Sequence, residues 1–160
     1  MHIKEFFPGF VKPGKEQNER AKGKMKALFS KAINKADVSN CTLLYGNFEK
    51  TQDFVVVSIS SAKSYIIGFD EIKMELILVP FKSDFSKFAD PIYLLPNNLK
   101  KATKSFVGSY HFKDNNNKTY KMHIPAITGN VTAFFSQDQI AIDQKDELLK
   151  FKEFYKKIST

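Results

Sequence analysis

Between residues 64 and 125 the apolar side chains come in short runs, some alternating with polar residues and some continuous, with brief polar breaks between them. Tyr65-Ile66-Ile67-Gly68-Phe69, Leu76-Ile77-Leu78-Val79 and the two arms around Asp114, Asn115, Asn116 and Asn117 have the length and the β-branched, aromatic texture of strands. Connections this short make neighbouring strands antiparallel. The last pair of arms fixes a register. If Phe112 faces Tyr120, then Tyr110 faces Met122 and Gly108 faces Ile124. Because successive side chains alternate between faces, Phe106, Tyr110, Phe112, Tyr120, Met122 and Ile124 then form one apolar face. Val107, Ser109, His111, Lys113, Lys121 and His123 form the other, which is expected to be wet. The three asparagines are turn chemistry, since Asn tolerates the left-handed region.

The chain before this stretch has a different period. Residues 1–14 hold Pro8-Gly9 and Pro13-Gly14, which mark turns, and Phe6, Phe7, Phe10 and Val11, which suit packing on a body. From residue 15 to 36, Ala21, Met25, Leu28, Phe29, Ala32, Ile33 and Ala36 recur at helical steps and form one stripe. Lys22 and Lys26 flank one border of the stripe; Lys24, Lys31 and Lys35 flank the other. Residues 37–40 break this helix. Strands are then expected at 42–47, 53–59, 63–69, 74–81, 91–95, 103–112 and 118–124, with residues 96–101 as a turn. Residues 82–90 form a longer connection pinned by Phe85 and Phe88. Residues 131–135 suit a short helix or an extra strand equally. From Gln144 the period is helical again: Leu148, Phe151, Tyr155 and Ile158 form a stripe that Leu149 and Phe154 widen, and Lys156 and Lys157 suit the negative end of the helix dipole.

At 160 residues and 42% hydrophobic content the chain is long and apolar enough to bury a core. Its apolar runs fall far short of the roughly 18 residues of a spanning helix. No leader-like apolar segment opens it, and Cys41 is the single cysteine. A cytoplasmic protein without disulfides is the expectation. Net charge is +8, of which residues 1–36 carry +6 and residues 37–160 only +2. Lysines number 24 against one arginine. Arginine's planar fork is the usual reader of phosphates and guanine edges, so this composition argues against sequence-specific nucleic-acid recognition.

No sequence signature of catalysis stands out. His111 and His123 share the wet face of one hairpin, but two histidines do not complete a zinc site. Asp70-Glu71 and Asp146-Glu147 fall in a turn and at a helix start, where acids are commonplace. There is no phosphate loop, nucleophile elbow or HExxH. Cys41 reads as a small half-buried residue at the start of a strand. The expectation is a non-enzyme that needs no cofactor or metal.

The order of four strands, a longer connection, three strands and a C-terminal amphipathic helix resembles the pleckstrin-homology-like (PH-like) fold, and Tyr65–Phe69, Leu76–Pro80, Pro91–Leu95 and Lys118–Ile124 resemble bacterial PH-like domains. The resemblance covers residues 40–125 and the final helix. It implies an α+β fold in which two nearly orthogonal antiparallel sheets form a partly open barrel of about seven strands, plugged by the C-terminal helix. The N-terminal arm and helix, residues 1–36, would be an addition to a PH-like domain at 37–160. It also implies binding rather than catalysis, with protein contacts or self-association as the leading mode. The family's lipid site would lie in the loops at 48–52, 70–73 and 113–118. There Lys50, Lys73, Lys113 and Lys118 meet Glu49, Asp70, Glu71 and Asp114, an electrically neutral mouth that cannot concentrate a polyphosphate by its field. Lipid binding at that mouth is therefore not expected. The alternatives are peripheral attachment to an anionic membrane through the basic N-terminal helix, with Lys22, Lys24, Lys26, Lys31 and Lys35 as the contacts, and a small enzyme whose site is assembled from residues no motif marks.

Overall fold

The computed structural model describes residues 13–49, 63–128 and 140–159. Helix α1 (Lys15–Ile33) precedes strands β1 (Thr42–Phe48), β2 (Ser64–Asp70), β3 (Glu75–Phe81), β4 (Ile92–Leu95), β5 (Leu99–Lys104), β6 (Tyr110–Asp114), β7 (Thr119–His123), β8 (Ile127–Thr128) and β9 (Ile142–Asp143), and helix α2 (Lys145–Ile158) follows. Seven strands form one antiparallel sheet in the order β4-β3-β2-β1-β7-β6-β5; β8 and β9 make a separate pair. The protein is thus α+β, as the sequence indicates. Among the described residues no strand pairing joins the two edges, β4 and β5.

Two readings of the strands need correction. Strand β1 is hydrogen-bonded directly to β2, from Thr42 opposite Phe69 to Asn47 opposite Ser64, and its other edge meets β7. Residues 53–59 lie outside the described residues. Among the described residues the sheet counts seven strands because the expected strand at 103–112 is two. Residues 99–104 form β5, where a turn was expected at 96–101, and β6 starts only at Tyr110. Between them Ser105 N–H donates to Ser109 O and Gly108 N–H to Ser105 O, closing a turn in which Gly108 takes φ +89°. That left-handed conformation costs glycine little. Phe106 therefore stands in solvent at the tip of a hairpin rather than on the apolar face. The remaining register holds: Tyr110 faces Met122 and Phe112 faces Tyr120. Asn117 takes the left-handed conformation in the next turn.

Two apolar clusters sit on opposite faces of the sheet. All seven strands contribute to the first, which closes around α2 through Leu148, Phe151 and Phe154. Phe151 is fully buried and its ring lies 5.5 Å from Phe69, 5.1 Å from Tyr110 and 6.4 Å from Phe112. Leu149, placed on the buried stripe by its spacing, is exposed instead. The second cluster lies between α1 and the other face of β1, β2 and β3, where Met25, Leu28, Phe29 and Ile33 meet Tyr45, Ile66, Ile77 and Val79. Gly68 makes this contact close: a Cβ there would lie 2.2 Å from the Phe29 ring. The α1 stripe thus packs on the sheet, and the helix ends where Asn34 takes the left-handed conformation. Phe85 and Phe88 pack at the edge of this second cluster, pinning the connection before β4.

Between its pairing with β7 and its start, β1 meets a side chain in place of a strand. Gln144, fully buried, accepts from Tyr45 N–H at 2.8 Å and donates through Nε2 to Tyr45 O at 2.8 Å and Pro125 O at 2.7 Å. A buried backbone amide and carbonyl must find such partners. No described helix is long and apolar enough to cross a membrane.

Candidate functional site: a basic face on the second half of the sheet

Strands β5, β6 and β7 bury Ala102, Tyr110, Phe112, Tyr120 and Met122 on their inner face. Their outer face carries two cross-strand rows. Lys101 stands opposite Lys113, which stands opposite Thr119; Thr103 stands opposite His111, which stands opposite Lys121. These six side chains line a shallow depression of about 270 Å³. Lys101 and Lys113 have no carboxylate partner among the described residues. Among the described residues the acid at this face is Glu49, whose Oε2 lies 2.8 Å from His111 Nε2, and whose backbone N–H donates to Lys121 O. The lysines that line the depression, Lys101, Lys113 and Lys121, thus outnumber this carboxylate three to one among the described residues.

Sequence reasoning found half of this arrangement. It placed His111, Lys113 and Lys121 together on a wet face, but it missed Lys101 and Thr103 because it read residues 96–101 as a turn and residues 103–112 as one strand. Lys101 and Thr103 come to sit beside Lys113 and His111 only once the chain reverses at Ser105 to Ser109. Val107, expected on the wet face, stands in solvent at that turn, while Ser109 is buried and its N–H is held by Ser105 Oγ at 3.0 Å. His123 is exposed at the far end of β7. Among the described residues no three His, Cys, Asp or Glu side chains gather as a metal site.

The five helix lysines do not gather. Lys22 Nζ lies 2.8 Å from Glu147 Oε1 on α2. Lys24 sits 5.8 Å from the Phe85 ring centre and Lys31 6.0 Å from that of Phe88, both cation–π arrangements against the connection before β4. Lys26 lies near Asp37, whose carboxyl is held below its usual range, mainly by hydrogen bonds from Ser39. Lys35 lines a separate recess with Glu75 and Tyr93. The apolar stripe that a membrane-surface helix inserts is here buried on β1, β2 and β3.

Cys41 is half-buried beside β1, and burial pushes its thiol above the usual range, away from the thiolate form. Burial also raises Tyr65 and Tyr120; Tyr120 is pushed up to about 12 by burial and by the Asp114 carboxylate, to which its hydroxyl donates at 3.3 Å. Asp114 Oδ1 accepts from Asn116 and Lys118 N–H, so this acid organises the β6–β7 turn and points away from the basic face. On this face Thr103 stands opposite His111, which Glu49 engages. Compared with protein-family models, with curated proteins and with solved structures, the chain matches none.

Proposed function

We propose that the protein is a non-catalytic binding module of PH-like fold that docks an acidic segment of a partner protein on the outer face of β5, β6 and β7. Two antiparallel meanders, β1–β4 and β5–β7, joined through the β1–β7 pairing and filled by a C-terminal helix, support the PH-like reading. The observation that carries the binding reading is Lys101 directly opposite Lys113. Like charges at paired positions of adjacent strands destabilise a sheet. A local rule broken without gain to the fold marks a surface kept for another purpose.

The chemistry favours a polypeptide with several carboxylates. Lysine stems are long and rotatable and act as point charges, whereas rigid bidentate reading of a single phosphate is the office of arginine. An extended segment presents same-side residues about 6.5 Å apart, a spacing that flexible lysines on neighbouring strands accommodate. The Thr103 hydroxyl adds a neutral donor beside them. Fluorescence anisotropy with a labelled ten-residue peptide of alternating Glu and Gly tests this. Binding should weaken at least tenfold in Lys101→Glu/Lys113→Glu and fall steeply with salt, as expected for exposed charges. Affinity unchanged by the double substitution sinks the reading.

A further inference from the structure

Between its start and its pairing with β7, one edge of β1 meets no strand among the described residues. Strand β7 reaches only Asn47 and Phe48, and at Tyr45 the edge is closed by Gln144. Alternate residues of an antiparallel strand turn their N–H and C=O to the same edge. Leu43, two residues before Tyr45, therefore presents its amide and carbonyl to this edge as well, and nothing among the described residues pairs with them there. They give onto a cleft of about 390 Å³ between α1 and the first turns of α2, a size that holds a small molecule. One wall of it is α1, which the PH-like resemblance does not include.

The walls set what can enter. Lys22, Met25 and Lys26 come from α1, Glu147 and Lys150 from α2. The two helices meet where Lys22 Nζ lies 2.8 Å from Glu147 Oε1. The other oxygen of that carboxylate, Oε2, is buried with no hydrogen-bond partner among the described residues. A carboxylate oxygen in that state calls for a donor, and the Glu147 side chain, 24% exposed, forms part of the cleft surface. Lys26 and Lys150 are exposed, and neither forms an ion pair with a carboxylate among the described residues. Three lysines against one glutamate make the cleft attractive to anions. Met25 and Leu43 give it an apolar lining.

The free edge is one residue long. Gln144 occupies it at Tyr45, and on the other side Cys41 N–H donates to Val38 O at 3.0 Å. A single amide fits there, whereas an added strand does not. A simple anion would use the lysines and leave the Leu43 N–H without an acceptor and the Leu43 carbonyl and Glu147 Oε2 without donors. We propose that this cleft binds a small dicarboxylate that carries one amide, in chemical class an N-acylated acidic amino acid. Its amide pairs with the Leu43 backbone as a neighbouring strand would, and its carboxylates lie on Lys26 and Lys150. The acyl group packs on Met25.

Titration of the full chain with N-acetyl-L-glutamate tests this, followed in nitrogen–proton correlation spectra. The Leu43 amide resonance should move saturably. Lys26→Gln/Lys150→Gln, at two exposed positions, should weaken binding about tenfold at an unchanged unfolding midpoint. Glutarate keeps both carboxylates but lacks the amide and should bind about tenfold more weakly. Binding should persist in Lys101→Glu/Lys113→Glu, the variant that disables the acidic-peptide face, so the two readings fail separately. An unmoved Leu43 resonance in excess N-acetyl-L-glutamate overturns the proposal. So does glutarate binding as tightly, which would mean an adventitious ion only, and so does an affinity unchanged in Lys26→Gln/Lys150→Gln or lost in Lys101→Glu/Lys113→Glu.

Discussion

The two halves of the sheet are covered differently. In the β1–β3 half α1 lies on one face and α2 on the other, and every residue of β2 is buried. In the β5–β7 half, among the described residues, only the α2 side is covered, and burial alternates along β6 and β7. A half with one lid needs polar residues on its open side, but it does not need residues of one charge. That excess of lysine is what separates a merely solvated face from a candidate docking face, and it explains why the more buried half is the less informative about function.

The comparison can be broken at its base. Phe151 touches both halves, so Phe151→Ala should cost about 4 kcal/mol and leave a single urea transition; two separate transitions would show the halves to be independent. Gly68→Ala tests the tight lid of the first half and should cost about 3 kcal/mol, because the Phe29 ring must move or the strand must. Phe29→Leu should recover part of that loss, a non-additivity that a double-mutant cycle reads directly. Gln144→Leu leaves the Tyr45 amide and carbonyl buried without their partner and should cost about 2 kcal/mol by urea midpoint.

Alkali should weaken the protein through Tyr120 in the second half as well as Tyr65 in the first. An unfolded tyrosine ionises near pH 10, whereas Tyr120 in the fold is pushed up to about 12. Between those values the unfolded chain holds fewer protons than the native one, so stability is fully present below pH 10 and falls as pH rises through the window. Tyr120→Phe should flatten that fall, as followed by circular dichroism and phenolate absorbance. The smallest effect sharpens the comparison most. Lys113→Thr removes a like-charge pair and should stabilise the protein by about 0.5 kcal/mol, while weakening the acidic peptide; a destabilised variant would mean that Lys113 serves the fold.

The sequence was most legible where burial imposes a clean period. The α1 stripe from Ala21 to Ile33 and the α2 residues Leu148, Phe151 and Phe154 lie where their spacing puts them, because a helix must turn a continuous face to the core. It was misleading where an apolar residue lacks a core to face. Phe106 and Val107 continue the alternation of a strand, so residues 103–112 read as one element; the reversal is set by Gly108 and by hydrogen bonds within the turn. Lys100 and Lys101, adjacent and flanked by Leu99 and Ala102, looked like a turn because an edge strand can expose most of its residues. The basic face was half visible for the same reason: its β6 and β7 members follow from one register, while its β5 members depend on a strand without an apolar signature. The helix lysines stood out by number, yet the structure distributes them among Glu147, Phe85, Phe88 and Asp37.

The bonds that Gln144 makes to Tyr45 span 99 residues of chain. Strand β1 is synthesised well before α2, but Tyr45 lacks its bonds to Gln144, and the core around Phe151 stays open, until residues 144–158 have emerged from the ribosome. Assembly of the body is therefore a late event on the nascent chain rather than a gradual one. Contacts so distant in sequence are slow to form and leave apolar strand surface exposed meanwhile, so a chain stalled before residue 144 presents a sheet without its plug to whatever chaperone or protease is nearby.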